Sequence, residues 1–225
     1  MARYLAQAWA VARKDLLLEA RSRERFVAMA TFAVLVAVVF SFALDPGVRA
    51  STIAGAMLWV TVLFAGTLGL GRAFALEREA DALTGVLVSP IPRGAFYLGK
   101  LAANLAIVLC VELAIFPVYA LFFGLRYAGA LGGLAIVVLL ATIGFMALGT
   151  LFAAMAAHSR LGETLIPILL LPLLTPVVIF ACAATQRLLV GRPVADVVSQ
   201  LKMLGAFDLV FLFLCTALFG AVVEE

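Results

Sequence analysis

The sequence predicts an all-α integral membrane protein with six transmembrane helices. Of its 225 residues, 66% are hydrophobic and 13% are charged, which leaves too few polar side chains to cover the surface of a globular domain. The apolar residues form long runs, and about 20 such residues in a helix cross the hydrocarbon core of a bilayer. Because these runs are continuous and do not alternate with a period of two, they exclude a transmembrane β-barrel.

Six runs are long enough to span a membrane. Four of them contain no Asp, Glu, Lys or Arg and cover residues 26–44, 50–71, 127–159 and 164–186. Two others, residues 101–125 and 203–223, contain one acid each, Glu112 and Asp208. The first run follows a charged segment and lacks a clear cleavage site, so we interpret it as a retained span rather than a signal peptide.

The distribution of basic residues sets the orientation. Eleven of the sixteen Lys and Arg residues lie before the first span, between the second and third spans, or between the fourth and fifth spans. An excess of Lys and Arg marks the cytoplasmic side, so we expect both termini and residues 72–100 in the cytoplasm. The formal net charge of +3 is therefore explained by topology, and it is no evidence for nucleic-acid binding.

Residues 1–25 are predicted to form an amphipathic helix that precedes a single membrane domain over residues 26–225. Leu5, Trp9, Ala12 and Leu16 form an apolar stripe, which is typical of a helix in the lipid headgroup region. One interpretation is a simple membrane anchor. The other is a platform that also contacts a cytoplasmic partner. The residues of this N-terminal platform are Arg13, Lys14, Asp15, Glu19, Arg21, Arg23 and Glu24.

Prolines predict two irregular features in the second half of the chain. Pro167, Pro172 and Pro176 each remove a backbone donor, so we expect the fifth span to be kinked or broken. Beyond Pro193, apolar residues recur on one helical face. This pattern predicts a second amphipathic helix over about residues 191–202, on the outer side of the membrane.

The sequence offers no catalytic residue and no metal ligands. A G-x-x-x-x-G-K-[ST] loop is missing, so the chain is not expected to hydrolyse ATP. The glycines of "GTLGLG" (residues 66–71) lie inside a span, where we assign them to close helix packing. The single histidine, His158, is interpreted as an interfacial polar group, and the three cysteines lie inside spans without metal-ligand spacing.

Glu112 lies near the middle of the third span, where a lone carboxylate costs roughly 2.5 kcal/mol or more. A functional interpretation makes it a contact for cargo or for a partner, or a proton site. A structural interpretation gives it a hydrogen bond to a hydroxyl of Tyr119, Thr142 or Thr150. Asp208 is closer to a predicted membrane boundary, so we expect it to extend outward to water.

The loop between the second and third spans, residues 72–100, contains a short amphipathic helix and is called here the coupling segment. One face of the helix is apolar, and the other carries Glu77, Arg78 and Asp81. The helix ends at Ser89-Pro90-Ile91-Pro92. An acid-rich helix is disfavoured on the anionic cytoplasmic leaflet, so we predict that it docks into a groove of a soluble subunit.

These residues resemble the membrane subunits of ABC-2-type exporters, in which an E-x-E-x-x-x-L stretch followed by S/T-P forms the coupling helix against the ATPase. The matching residues are Glu77, Arg78, Glu79, Asp81, Leu83, Leu87, Ser89 and Pro90. "RKDLLLEARSRERF" (residues 13–26), "LWVTVLFAGTLGLGRAFALERE" (58–79) and "LTGVLVSPIPRGAFYLGK" (83–100) are similar to the haem exporter protein B family, the CcmB-type permease of cytochrome c maturation.

The resemblance implies a permease of the bacterial inner membrane that works as a homodimer with a CcmA-type ATP-binding subunit and with CcmC- and CcmD-type haem-handling subunits. ATP on the partner would drive release of a haem-loaded chaperone, and this chain would bind no cofactor itself. The tryptophan-rich haem-handling motif of those partners is missing, since Trp9 and Trp59 are the only tryptophans. Two alternatives are a general ABC-2 exporter of a lipid, drug or polysaccharide, and a membrane scaffold without transport.

Overall fold

The computed structural model describes residues 2–44, 52–74, 91–125, 127, 129–157 and 162–224, with side chains except at 2, 162–167 and 223–224. These ranges contain seven α-helices and no strand. The helices are α1 (Ala2–Ser22), α2 (Glu24–Ala43), α3 (Ala54–Gly71), α4 (Arg93–Phe123), α5 (Leu131–Ala157), α6 (Gly162–Leu189) and α7 (Val198–Glu224).

Helices α2 to α7 are each long and apolar enough to cross a membrane. The prediction of an all-α protein with six spans is therefore confirmed. Most of the spanning window of α3 and α5 is buried, whereas only 17% of the window is buried in α2 and in α7. The exposed positions of α7 include large apolar side chains such as Leu209 and Phe213, as expected for a helix whose outer face meets lipid.

A left-handed residue separates α1 from α2. Arg23, the N-cap residue of α2, has φ 57° and makes no side-chain capping hydrogen bond. Glu19 replaces the usual cap, because its carboxylate accepts a hydrogen bond of 2.9 Å from the backbone N–H of Phe26 in the first turn of α2. The amphipathic segment and the first span are thus two helices joined by one residue.

Glycines let α3 approach its neighbours closely. A Cβ atom at Gly66 would overlap the ring of Phe145 on α5, and one at Gly69 would overlap the side chain of Met29 on α2. Both neighbours are buried. The assignment of "GTLGLG" to helix packing is confirmed at these two glycines, since in lipid such close contacts supply much of the association between helices.

Two predictions about the second half of the chain need correction. Helix α6 runs continuously from Gly162 to Leu189 through all three prolines, so it is not broken. Each proline removes only one backbone hydrogen bond, and packing against neighbouring helices compensates for such a loss in a span. The segment at 191–202 is not a separate helix, because a 3-10 turn at Val194–Val197 leads directly into α7, and no helix-breaking residue follows Val198.

We predict that replacing Gly66 with alanine destabilises the protein. The added methyl group meets the buried Phe145 ring, and overpacking of this kind costs about 1–3 kcal/mol. The measurement is the unfolding midpoint of the purified protein in detergent. Gly71→Ala is the control on the same helix, because nothing lies within 4 Å of its Cβ position. Equal midpoints for the two variants would contradict the packing assignment.

Candidate coupling site at the ends of the second and third spans

The coupling segment was predicted to contact a soluble subunit, and the structure describes both of its ends. The residues assigned to that contact lie outside the described ranges; they are Glu77, Arg78, Glu79, Asp81, Leu83, Leu87, Ser89 and Pro90. On one side, α3 is followed by a turn through Ala73 and Phe74, both buried. On the other, Pro92 leads into α4. These two ends are the anchors of the segment.

Helix α1 packs directly on α4 beside the anchors. Its contact face contains Ala8, Val11 and Ala12, which are all buried. Gly99 of α4 makes this approach possible, because a Cβ atom there would overlap the Ala8 carbonyl and the Val11 side chain. The N-terminal helix is therefore seated on the third span along this face.

The predicted apolar stripe of α1 is divided between two environments. Leu5 and Trp9 are 59% and 64% exposed, whereas Ala12 is 1% exposed. The division follows from the positions of these residues around the axis of α1. The face that packs against α4 is centred beside the stripe, so the large side chains of Leu5 and Trp9 point away from the protein. The exposed part of the stripe is available to lipid, as a tryptophan at the interface requires.

Lys100 joins three parts of the anchor region, although it is only 1% exposed. Its Nζ lies 2.9 Å from a carboxylate oxygen of Asp15 on α1 and donates to the carbonyl of Ala73 at 3.4 Å. The same nitrogen lies over two aromatic rings, 4.9 Å from the centre of Phe74 and 5.9 Å from that of Phe96. A buried ion pair with further polar partners thus connects α1, the end of α3 and the start of α4.

A second chain of hydrogen bonds begins one turn further along α4. Arg25 of α2 donates to the side-chain oxygen of Asn104 at 2.9 Å, and the amide nitrogen of Asn104 donates to Thr150 of α5 at 3.0 Å. Lys100 and Asn104 are four residues apart and therefore lie on the same side of α4. This face of α4 connects α1, α2 and α5 close to the anchors.

The N-terminal platform divides into inward and outward residues. Asp15 and Glu19 are half-buried and make the contacts to Lys100 and Phe26 described above. Exposed side chains are found at Arg13, Lys14, Arg21, Arg23 and Glu24. Lys14 lies 3.1 Å from Asp15, and Glu24 lies 3.4 Å from Arg72 at the end of α3. The outward group is thus the part of the platform that remains available to a partner.

Sequence reasoning missed the contributions of Lys100, Asn104 and Arg25. Lys100 had been counted only as a basic residue of a cytoplasmic loop. The position of Lys100 at the edge of an apolar run was a usable signal. A lysine buried at such a position is almost always paired with an acid, so an acidic partner could have been expected. The partner, however, lies 85 residues earlier at Asp15, and no local pattern identifies it.

Deeper in the membrane, Glu112 is paired with a hydroxyl. Thr142 of α5 lies 2.8 and 3.1 Å from the two carboxylate oxygens, and Glu112 is 2% exposed. The structural interpretation is confirmed for Thr142 among the three hydroxyls considered. Tyr119 instead shares a hydrogen bond of 2.6 Å with Thr61, and Thr150 accepts from Asn104.

The expectation that Asp208 extends outward to water is wrong. Its side chain is 5% exposed and lies against Gly144 of α5. The reason is the starting point of the last helix. The charge-free run suggested a start at residue 203, but α7 begins at Val198, which places Asp208 about three turns into the helix.

The described part of the chain contains no group of three His, Cys, Asp or Glu side chains that could bind a metal ion. The site consists of ion pairs and hydrogen bonds between helices. These contacts join the ends of the coupling segment to α1, α2 and α5.

Comparisons with known proteins agree over most of the chain. A family model described as CcmB protein matches residues 6–225. Three similar proteins carry the name Heme exporter protein B. The protein of Paracoccus denitrificans is 34% identical over 203 residues, covering 89% of this chain and 91% of the relative. Those of Rhodobacter capsulatus and Pseudomonas aeruginosa are 32% and 30% identical, covering 77% and 81% of this chain and 80% and 82% of the relatives.

We predict that Lys100→Met lowers the free energy of unfolding by about 1.5–3 kcal/mol, because Asp15 loses its buried partner and keeps only the exposed Lys14 at 3.1 Å. The double variant Lys100→Met, Asp15→Asn should recover much of this loss, since it removes both charges. Unfolding midpoints in detergent measure the effect, with the exposed Lys202→Met as control. A double variant no more stable than Lys100→Met would contradict the pairing.

Proposed function

The chain belongs to the CcmB protein family, and on that premise we propose that it is the membrane permease subunit of an ABC transporter in cytochrome c maturation. Three features support the proposal: the six membrane-spanning helices, the relatives named Heme exporter protein B, and the joined ends of the coupling segment. In this proposal the protein lies in the bacterial inner membrane, and both termini face the cytoplasm.

The chain itself hydrolyses nothing in this scheme. A CcmA-type subunit binds and hydrolyses ATP, and the acidic helix around Glu77 and Glu79 docks on it. Two copies of the chain face two ATP-binding subunits, as the resemblance to ABC-2-type exporters implies. The outward residues of the N-terminal platform add a second contact beside the docked helix.

In this proposal the buried Lys100 connects the coupling segment mechanically to the neighbouring helices. Because it binds Asp15 and the Ala73 carbonyl at once, the end of α3 and helix α1 follow any displacement of the start of α4. Asn104 extends the connection to α2 and α5. A push on the coupling segment therefore reaches four helices through side chains that have little freedom to rearrange.

Haem is cargo of the wider complex in this proposal. CcmC- and CcmD-type subunits handle the haem, and the movement of the permease releases the haem-loaded chaperone. Glu112 contributes to the permease by joining α4 to α5 through Thr142, which favours a structural role over direct contact with cargo.

Reversing the charge of two docking residues should uncouple the complex. In the variant Glu77→Lys, Glu79→Lys, we expect the ATP-binding subunit to be lost from copurification and c-type cytochromes to fall severalfold, because acidic residues would no longer meet the partner's groove. Membrane insertion should be unchanged, since both residues lie outside the six apolar runs of the sequence. The exposed Asp196→Lys is the matched control. Normal copurification together with normal cytochrome levels would exclude this docking assignment.

Two other functions remain as distinct outcomes of a second experiment. Deletion of the gene should abolish c-type cytochromes; normal cytochromes accompanied by loss of a lipid, drug or polysaccharide from the cell surface would instead identify a general exporter. Co-reconstitution with the ATP-binding subunit separates a permease from a scaffold. A permease changes the rate of ATP hydrolysis, whereas a scaffold leaves it unchanged.

A further inference from the structure

Asp208 lies in an environment that does not suit a charged carboxylate. Both of its oxygens are buried, and neither forms a hydrogen bond within the part of the chain that the structure describes. The side chain lies in the interface between α7 and α5, with Gly144 beside one oxygen and Val177 of α6 next to it. An ionised carboxylate at such a position loses its hydration without hydrogen bonds or a counter-charge to offset the loss, which costs several kcal/mol.

On the side that faces Gly144, Asp208 has no room for a compensating ion. A single Cβ atom added at Gly144 would already lie 2.6 Å from the Asp208 oxygen. Cations such as Ca²⁺ and Mg²⁺ require about six oxygen ligands, and no group of three acidic, His or Cys side chains exists among the described residues. A proton, in contrast, neutralises the carboxylate without needing additional space or additional ligands.

The titratable groups around Asp208 do not neutralise it. Helix α5 has none at all between residues 131 and 157. On α7, Lys202 and Cys215 lie roughly 9 and 10 Å along the axis at 1.5 Å per residue. Helix α6 contributes Cys182 and Arg187 among its described side chains, and Arg187 donates to the Asp196 carbonyl of the 3-10 turn. None of these described side chains forms a hydrogen bond or ion pair with Asp208.

Helix α4 also packs on α7 and supplies the remaining titratable groups. Arg93 lies beside Gly220, and the Tyr97 ring lies 5.3 Å from that of Phe219. These positions are about three turns beyond Asp208 along α7. The other titratable side chains of α4 are Lys100, Cys110, Glu112 and Tyr119. Lys100 pairs with Asp15, and the Glu112 carboxylate meets Thr142 on α5.

Glu112 and Asp208 lie on two sides of the same turn of α5. Their contacts on this helix, Thr142 and Gly144, are two residues apart, which corresponds to roughly 200° around the helix axis. Each carboxyl is at least nine-tenths buried. Two negative charges across one apolar helix would repel each other in a medium where charges are weakly screened.

We propose that Asp208 is a proton-binding site of the membrane domain, occupied in the conformation described, and that Glu112 is a second such site across α5. A neutral carboxyl fits the dry interface between α5 and α7, and Gly144 provides the room for it. Release of the proton requires α7 to move away from Gly144, so proton exchange at Asp208 reports the opening of this interface. The inference does not depend on the proposed coupling to an ATPase.

Infrared spectroscopy of the reconstituted protein at neutral pH tests the proposal. A protonated carboxyl has a carbonyl stretching band that an ionised carboxylate lacks, and exposed acids are ionised at this pH. We expect the band in the wild type, a loss of about half in Glu112→Gln, a similar loss in Asp208→Asn, and complete loss in the double variant. Asp196→Asn is the matched control, since Asp196 is exposed, and it should leave the band unchanged.

A measurement without substitution covers the case in which Asp208→Asn fails to fold. Incorporation of ¹³C-labelled aspartate shifts the band of a protonated aspartic acid and leaves that of glutamic acid in place. A shifted component in the wild-type protein supports a protonated aspartate, and its presence in Asp196→Asn assigns it away from the exposed acid. If the label shifts no part of the band, or if Glu112→Gln removes the band entirely, Asp208 is ionised and the proposal is wrong.

Discussion

The ion pair between Lys100 and Asp15 is the interaction on which the end of the fold that carries α1 depends. Each of these charges loses its hydration on burial, and the loss is offset only when the pair is close and has further partners. Here the distance is 2.9 Å, and the Ala73 carbonyl and two aromatic rings add to the surroundings of the ammonium group. Because the pair tolerates little displacement, it fixes the position of α1 on α4. The close approach at Gly99 and the ion pair thus hold α1 at the same place on α4.

The same requirement operates deeper in the membrane domain. Lipid offers no hydrogen bonds, so each polar side chain between helices needs a partner on a neighbouring helix. Asn104 meets Thr150, Thr61 meets Tyr119, and the indole nitrogen of Trp59 donates to Thr185 at 2.9 Å. These bonds link α3, α4, α5 and α6 at defined heights. Asp208 departs from this rule among the described residues, and the proton proposed above removes its charge.

Sequence reasoning succeeded where a single constraint dominates and failed where several helices must be placed together. The length needed to cross a bilayer identifies all six spans, and the cost of a lone carboxylate was enough to place Thr142 among three possible partners of Glu112. Lys100 and Asp208 were misjudged for one shared reason. A charge-free run ends at the first charge, but the helix does not: α4 begins at Arg93 rather than 101, and α7 at Val198 rather than 203. Both side chains therefore lie inside helices that had been expected to begin near them.

Helix α4 follows directly from this correction as the element through which displacement is transmitted. It starts at the end of the coupling segment and carries Lys100, Asn104 and Glu112, which bind α1, then α2 and α5, then α5 again. Glu112 lies roughly 18 Å from Lys100 along the axis, at 1.5 Å per residue. A helix is stiff over such a length, so in the proposed scheme a tilt imposed at the start of α4 changes the contact between Glu112 and Thr142. Asp208 lies on the other side of the same turn of α5, so the same tilt would extend to the interface that buries this carboxyl group.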